Sequence, residues 1–241
     1  WTQPFHTGSP WVRRAFEIAN ENGDLTFEVY SCNHLITNLL ASGELLSEIQ
    51  REAENGLDFA RKARFGLVVD IIIGQLQLIR TLRCVPFTFS SLSDAGFDEE
   101  RFERHLEADP RLAIATCWYW IRKLQARFFV GDYGSAVAAA SRAQRLLWTS
   151  PSHVEVAEYH FYGALARAAH YDEATSEERI QHLAALTAHQ KQLQEWAQNC
   201  PENFDNRAAL VAAEIARIDG RELDAMRLYE LFMGPLEDGV E

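Results

Sequence analysis

Apolar residues recur along this chain with the helical period. In Leu35-Ile36-Leu39-Leu40 they fall three and four apart, as one face of a helix requires. In Ala208-Leu210-Val211-Ala213-Ile215-Ala216-Ile218 they cover a broad face, which predicts a helix packed on two sides. Val68-Val69 and Ile71-Ile72-Ile73 have strand propensity, but the segment continues as Gln75-Leu76-Gln77-Leu78-Ile79-Arg80. That stretch is too long for an ordinary strand and keeps a helical apolar face, so it reads as a buried helix.

Turn residues punctuate this pattern at Gly23-Asp24, Ser42-Gly43, Gly131-Asp132-Tyr133, Ser150-Pro151, Cys200-Pro201 and Asp219-Gly220. Gly after a helix supplies a left-handed C-terminal cap, and Pro opens the next helix. The intervals predict about 10 helices of roughly 12 to 22 residues. One connection is irregular: residues 84–97 are too many for an ordinary helix–helix turn; the aromatics Phe87, Phe89 and Phe97 suggest a structural insertion packed against the body, and the alternative is a contact surface.

The helices pair into units. Residues 111–148 read as helix, Gly131-Asp132-Tyr133, helix, with Ala126 before the turn and Ala136, Ala140 and Ala143 after it. Asp205 to Phe232 repeats the scheme around Asp219-Gly220-Arg221; aligning Gly131 with Gly220 sets Ala136 on Ala225, Ala140 on Tyr229 and Ala143 on Phe232. Further units span residues 26–63, 65–106 and 153–198, the last with Tyr159, Tyr162 and Gly163 in its first helix. The expectation is an all-α fold, an α-solenoid of antiparallel helix pairs forming a tetratricopeptide-like superhelix, one helical-repeat domain over residues 1–241.

Composition narrows the partners. Of 241 residues, 23 are Lys or Arg and 35 Asp or Glu, a net charge of −12. Such a surface repels phosphate backbones and anionic lipid, which argues against nucleic acid and membrane as partners. The four cysteines, Cys32, Cys84, Cys117 and Cys200, are scattered and read as small buried residues in a reducing compartment. The first residues show no basic and apolar targeting pattern. A start at Trp1 and an apparently unfinished helix near Glu241 lead to the expectation of a longer parent protein.

Five stretches carry a resemblance: residues 32–43, 63–70, 117–125, 157–166 and 199–204. Together they resemble the helical region of very large bacterial signalling proteins, which join a serine/threonine-kinase-like domain, an AAA-type ATPase, this helical segment, a GAF domain and a sensor histidine kinase. The resemblance implies a cytoplasmic, signal-transducing parent. It lends no catalytic residue: the chain has no phosphate loop ending in Gly-Lys-Ser/Thr, no His-Arg-Asp and no Asp-Phe-Gly.

No constellation reads as catalytic, cofactor-binding or metal-binding. His153 and His160, and His182 and His189, are seven apart, too far to hold one ion without a third ligand. Trp118-Tyr119-Trp120 followed by Arg122-Lys123 reads either as a recognition surface or as aromatics packed between helices while the cations snorkel. In a tetratricopeptide-like array the first helix of each pair lines the groove. Phased on the turn glycines, the candidate groove and partner-binding residues are Trp118, Gln125, Phe128, His160, Arg167, Arg207, Glu214 and Arg217. Arg167, Arg207 and Arg217 suit an anionic ligand, unless each pairs with a Glu of the stack. The leading expectation is a non-catalytic scaffold for protein–protein or interdomain contact and signal relay. The alternative is a sensor holding a peptide or small anionic metabolite in the concave groove.

Overall fold

The structure is a computed structural model that describes residues 2–83 and 96–233. Among these, eleven α-helices follow one another: α1 (Gly8–Asn22), α2 (Leu25–Ala41), α3 (Leu46–Lys62), α4 (Gly66–Leu82), α5 (Glu99–Ala108), α6 (Ala113–Phe129), α7 (Tyr133–Gln144), α8 (Val154–His170), α9 (Ser176–Ala197), α10 (Pro201–Ile218) and α11 (Glu222–Met233). The fold is all-α, with one helix more than the pattern predicts. The β-branched stretch 68–73 lies within α4, as its helical face requires.

Local chemistry explains the stops. Gly23, Gly43, Gly131 and Gly220 have φ of 68–80°, the left-handed region, where a Cβ would be strained. At Gly131 the Asp132 N–H reaches back to the Arg127 carbonyl at 3.0 Å, and the Asp132 carboxylate then accepts from the Ser135 N–H at 3.2 Å to open α7. Arg64 makes the same turn between α3 and α4 at φ 56°, without glycine. Thr175 and Glu178 form a reciprocal capping box that starts α9.

Sequential helices joined by these short turns pack antiparallel. One row consists of α2, α4, α6, α8 and α10, each touching the next; the partner helices α3, α5, α7, α9 and α11 pack outside them. Ala136, Ala139, Ala140 and Ala143 are buried in the core shared by α6 and α7, so the small residues permit close approach of those helices. Ala225, aligned with Ala136, is likewise buried, whereas Tyr229 is half-buried and Phe232 exposed on α11.

The inner row curls until α2 touches α8. The segment before α1 crosses the same gap: Phe5 joins the apolar cluster of α8, α9 and α10, edge-on to Phe204 at 5.8 Å. The Phe5 N–H donates to Asn203 Oδ1 at 2.9 Å, and Asn203 Nδ2 donates to the Gln3 carbonyl at 3.0 Å. No helix among the described residues is long and apolar enough to cross a membrane. Cys117 and Cys200 are buried and Cys32 half-buried, all unpaired, while Cys84 and most of the irregular 84–97 connection lie outside the described residues. Phe97, at its end, packs on Phe102 at 5.3 Å.

Candidate functional sites

The inner face of the row holds a connected polar network. Arg122 on α6 donates through Nη2 to Glu155 Oε1 of α8 at 2.7 Å and through Nη1 to Gln125 Oε1 at 2.9 Å. Thr37 of α2 also donates to Glu155 Oε1, at 2.7 Å, and accepts from Gln75 Nε2 of α4 at 2.9 Å. Gln125 Nε2 donates to Glu158 Oε2 at 2.6 Å, and Arg207 of α10 completes the chain with 2.7 Å to Glu158 Oε1. All five inner helices contribute. Two cations face two carboxylates, which offsets part of the cost of burying them.

A groove available to a ligand would leave these groups facing solvent. Here they face each other, and Arg207 also lies over the Phe161 and Phe5 rings at 5.1 and 5.7 Å. Gln125 and Arg207 are the predicted site residues that enter this network.

The other candidates lie elsewhere. Phe128 packs among Phe129, Tyr133 and Tyr162. Glu214 accepts from Tyr229 Oη at 2.6 Å and from Arg217 Nε at 2.9 Å, while Arg217 Nη2 donates to the Ala168 carbonyl at 3.0 Å. His160 and Arg167 sit on the side of α8 that faces α9. The reason is angular: at about 100° per residue, His160 and Arg167 lie roughly 160–180° around the helix from Glu158. Phasing on turn glycines fails here because α8 ends at Tyr171 without one.

On that outer side His160 Nδ1 and His189 Nδ1 are 3.0 Å apart, edge-on to Tyr159 and Trp196. Burial pushes the His160 pKa down to about 4; burial, then His160 and the Arg167 charge, push His189 down further. Both imidazoles are therefore neutral at pH 7, one donating to the other.

Trp118 belongs to a third site. Its indole Nε1–H donates to Ser150 Oγ at 2.8 Å, and its ring stands edge-on to His153 at 5.1 Å and His34 at 6.0 Å. His34 and His153 stack at 5.9 Å. These three form the floor of a cleft of about 550 Å³, walled by Ile71, Leu67 and Ile114 and rimmed by Trp11 and Phe27. The volume lies within the range of ligand pockets, and apolar walls with a few polar groups are their usual make-up. Trp11 is 76% and Phe27 63% exposed, so two large aromatics stand in water at the rim. Burial lowers the His34 pKa, which disfavours its charged form in this cleft. Apart from Trp118, the residues of this cleft were not among the sequence candidates, because α1 carries no motif and its juxtaposition with α6 is purely tertiary.

Among the described residues, no group of three His, Cys, Asp or Glu side chains is placed to hold a metal ion. Comparison with family models, curated proteins and solved structures finds no match to this chain.

Proposed function

We propose that this chain is a non-catalytic helical-repeat interaction module that recognises a protein segment through the aromatic cleft between α1, α2, α4 and α6. The observation that carries the reading is the pair of exposed rings, Trp11 and Phe27, at the mouth of a preformed cleft with apolar walls and an aromatic floor. Exposed aromatics at a pocket mouth lose much unfavourable hydration when a partner covers them, and Trp and Tyr dominate binding hot spots. The filled inner face redirects recognition from the concave groove to this cleft. Its size suits two or three apolar side chains of a peptide or helix rather than a flat protein face. Within a larger signalling protein of the type resembled, the module would link neighbouring domains, its stacked helices carrying a rigid-body shift.

The test is selection of random displayed peptides against the chain. Selected peptides should bind at least about tenfold more weakly to a Trp11→Ala/Phe27→Ala double variant with unchanged circular dichroism, as loss of aromatic anchors predicts. Selected peptides indifferent to both substitutions would overturn the cleft as the recognition surface. Turnover of ATP by the isolated chain would overturn the non-catalytic reading.

A further inference from the structure

Three arginines among the described residues are buried: Arg122, Arg127 and Arg167. Two have carboxylates. Arg122 faces Glu155 at 2.7 Å, and Arg127 faces Glu99 at 3.1 Å. Arg167, only 6% exposed, has none within 4.0 Å among the described residues. Its Nη1 donates to the Gly163 carbonyl at 2.8 Å, one turn back on α8, and no other acceptor among the described residues meets its guanidinium.

No carboxylate among the described residues acts on the Arg167 guanidinium itself; the nearest acidic group to the niche, Glu178, lies by His170 and His182. Tyr159, His182 and His189 lie close enough to feel the arginine. His170 and His182 stand edge-on at 5.7 Å, with His170 Nδ1 and His182 Nε2 buried and unpartnered among the described residues. Gly163 lets these side chains pack close to α8: a Cβ there would approach His189 Nε2 to 3.3 Å and Arg167 Nη1 to 3.4 Å. A guanidinium cannot shed its proton, and an uncompensated buried cation costs several kcal/mol. An arginine with a free edge beside N–H and O–H groups is the usual receptor for a planar or tetrahedral oxyanion.

We infer that Arg167, with Tyr159, His170 and His182, forms a binding niche for a small oxyanion, a carboxylate or phosphate group, between α8 and α9. The anion supplies the charge that Glu155 and Glu99 supply to the other two arginines. The niche lies on the opposite side of α8 from the inner network and shares no residue with the aromatic cleft, so either can stand without the other. Of the three arginines that the sequence marks for an anion, Arg207 and Arg217 are engaged by Glu158 and Glu214. Arg167 alone among them keeps the capacity.

The probes are inorganic phosphate and acetate, each titrated into the wild-type chain at constant ionic strength set with chloride. At roughly ten times its dissociation constant, the binding anion should raise Tm by about 3 °C. Acetate alone marks a carboxylate site and phosphate alone a phosphate site, and no shift with either overturns the niche. The shift should vanish in Arg167→Gln, weaken in Arg167→Lys, which keeps charge but loses the fork, and persist in Arg217→Gln. A shift that survives Arg167→Gln, or that Arg217→Gln removes equally, marks adventitious surface binding and overturns the assignment. If Arg167→Gln does not fold, the Arg167 Nε–H and His182 ring resonances of the wild type decide: unmoved signals at saturating anion overturn it.

Discussion

Arg122 and Glu155 meet at 2.7 Å with 3% and 1% of their surfaces exposed, and the pair ties α6 to α8 at the point where α2 closes over both through Thr37. Removing one partner strands the other charge in the interior. Glu155→Ala should therefore cost about 3–5 kcal/mol in urea unfolding. The double variant Arg122→Met/Glu155→Leu should recover much of that loss, because it buries no unpaired charge. A double variant no more stable than Glu155→Ala would count against this account.

The His160–His189 pair makes stability pH-dependent. The unfolded imidazoles titrate near about 6.5, while folded His160 titrates near 4 and His189 lower still. A depressed folded pKa means that the stabilising contribution is complete above about 6.5 and is lost as pH falls toward 4. Denaturant unfolding at pH 7.5, 5.5 and 4.5 should show progressive loss of stability. His189→Gln should reduce that slope while leaving His160, His182 and His34 to give the remainder. A slope unchanged by His189→Gln would place the effect elsewhere.

Asn203 holds the N-terminal segment with both ends of its amide, 2.9 Å from the Phe5 N–H and 3.0 Å from the Gln3 carbonyl. Asn203→Ala should cost about 1–3 kcal/mol, since it leaves a buried N–H without an acceptor. Hydrogen exchange should rise first at Phe5, with α10 amides following less. Unchanged protection at Phe5 would show that the ring packing alone secures the segment.

Two turns of the same geometry invite opposite substitutions. Gly131, at φ 80°, has no neighbour that a Cβ would strike, so Gly131→Ala should lose about 1 kcal/mol through backbone strain alone. Arg64 already bears that strain at φ 56°, so Arg64→Gly should be neutral or gain up to about 1 kcal/mol. Thermal unfolding of the two variants should move in opposite directions or show Arg64→Gly unchanged; a loss for Arg64→Gly comparable to Gly131→Ala would refute the strain argument.

Much of the fold is legible in the sequence because its signals are short-range. The period that places Leu35, Ile36 and Leu39 on one face, the glycines that stop α1, α2, α6 and α10, and the alanines that let α6 and α7 approach all act within a few residues. The site is less legible. Gln125 and Arg207 lie in the inner network, while His160 and Arg167 lie on the side of α8 toward α9; α8 ends at Tyr171 with no left-handed residue to phase on. The Arg64 turn escapes for a related reason: the geometry is present without the residue that announces it.

What the sequence by itself determined is most of the helices and the stops that glycine marks, because hydrogen bonding, capping and the 3.6-residue period are local; the α4–α5 pairing it suggests gives way to α5 packing on α6. Tertiary structure alone decided which charges meet. Thr37 and Glu155 are 118 residues apart, and Phe5 and Asn203 are 198 apart. Such contacts depend on the summed curvature of the row, to which every helix crossing contributes a little and no single residue contributes a readable mark. That curvature closes the inner face on itself and opens the cleft beneath Trp11.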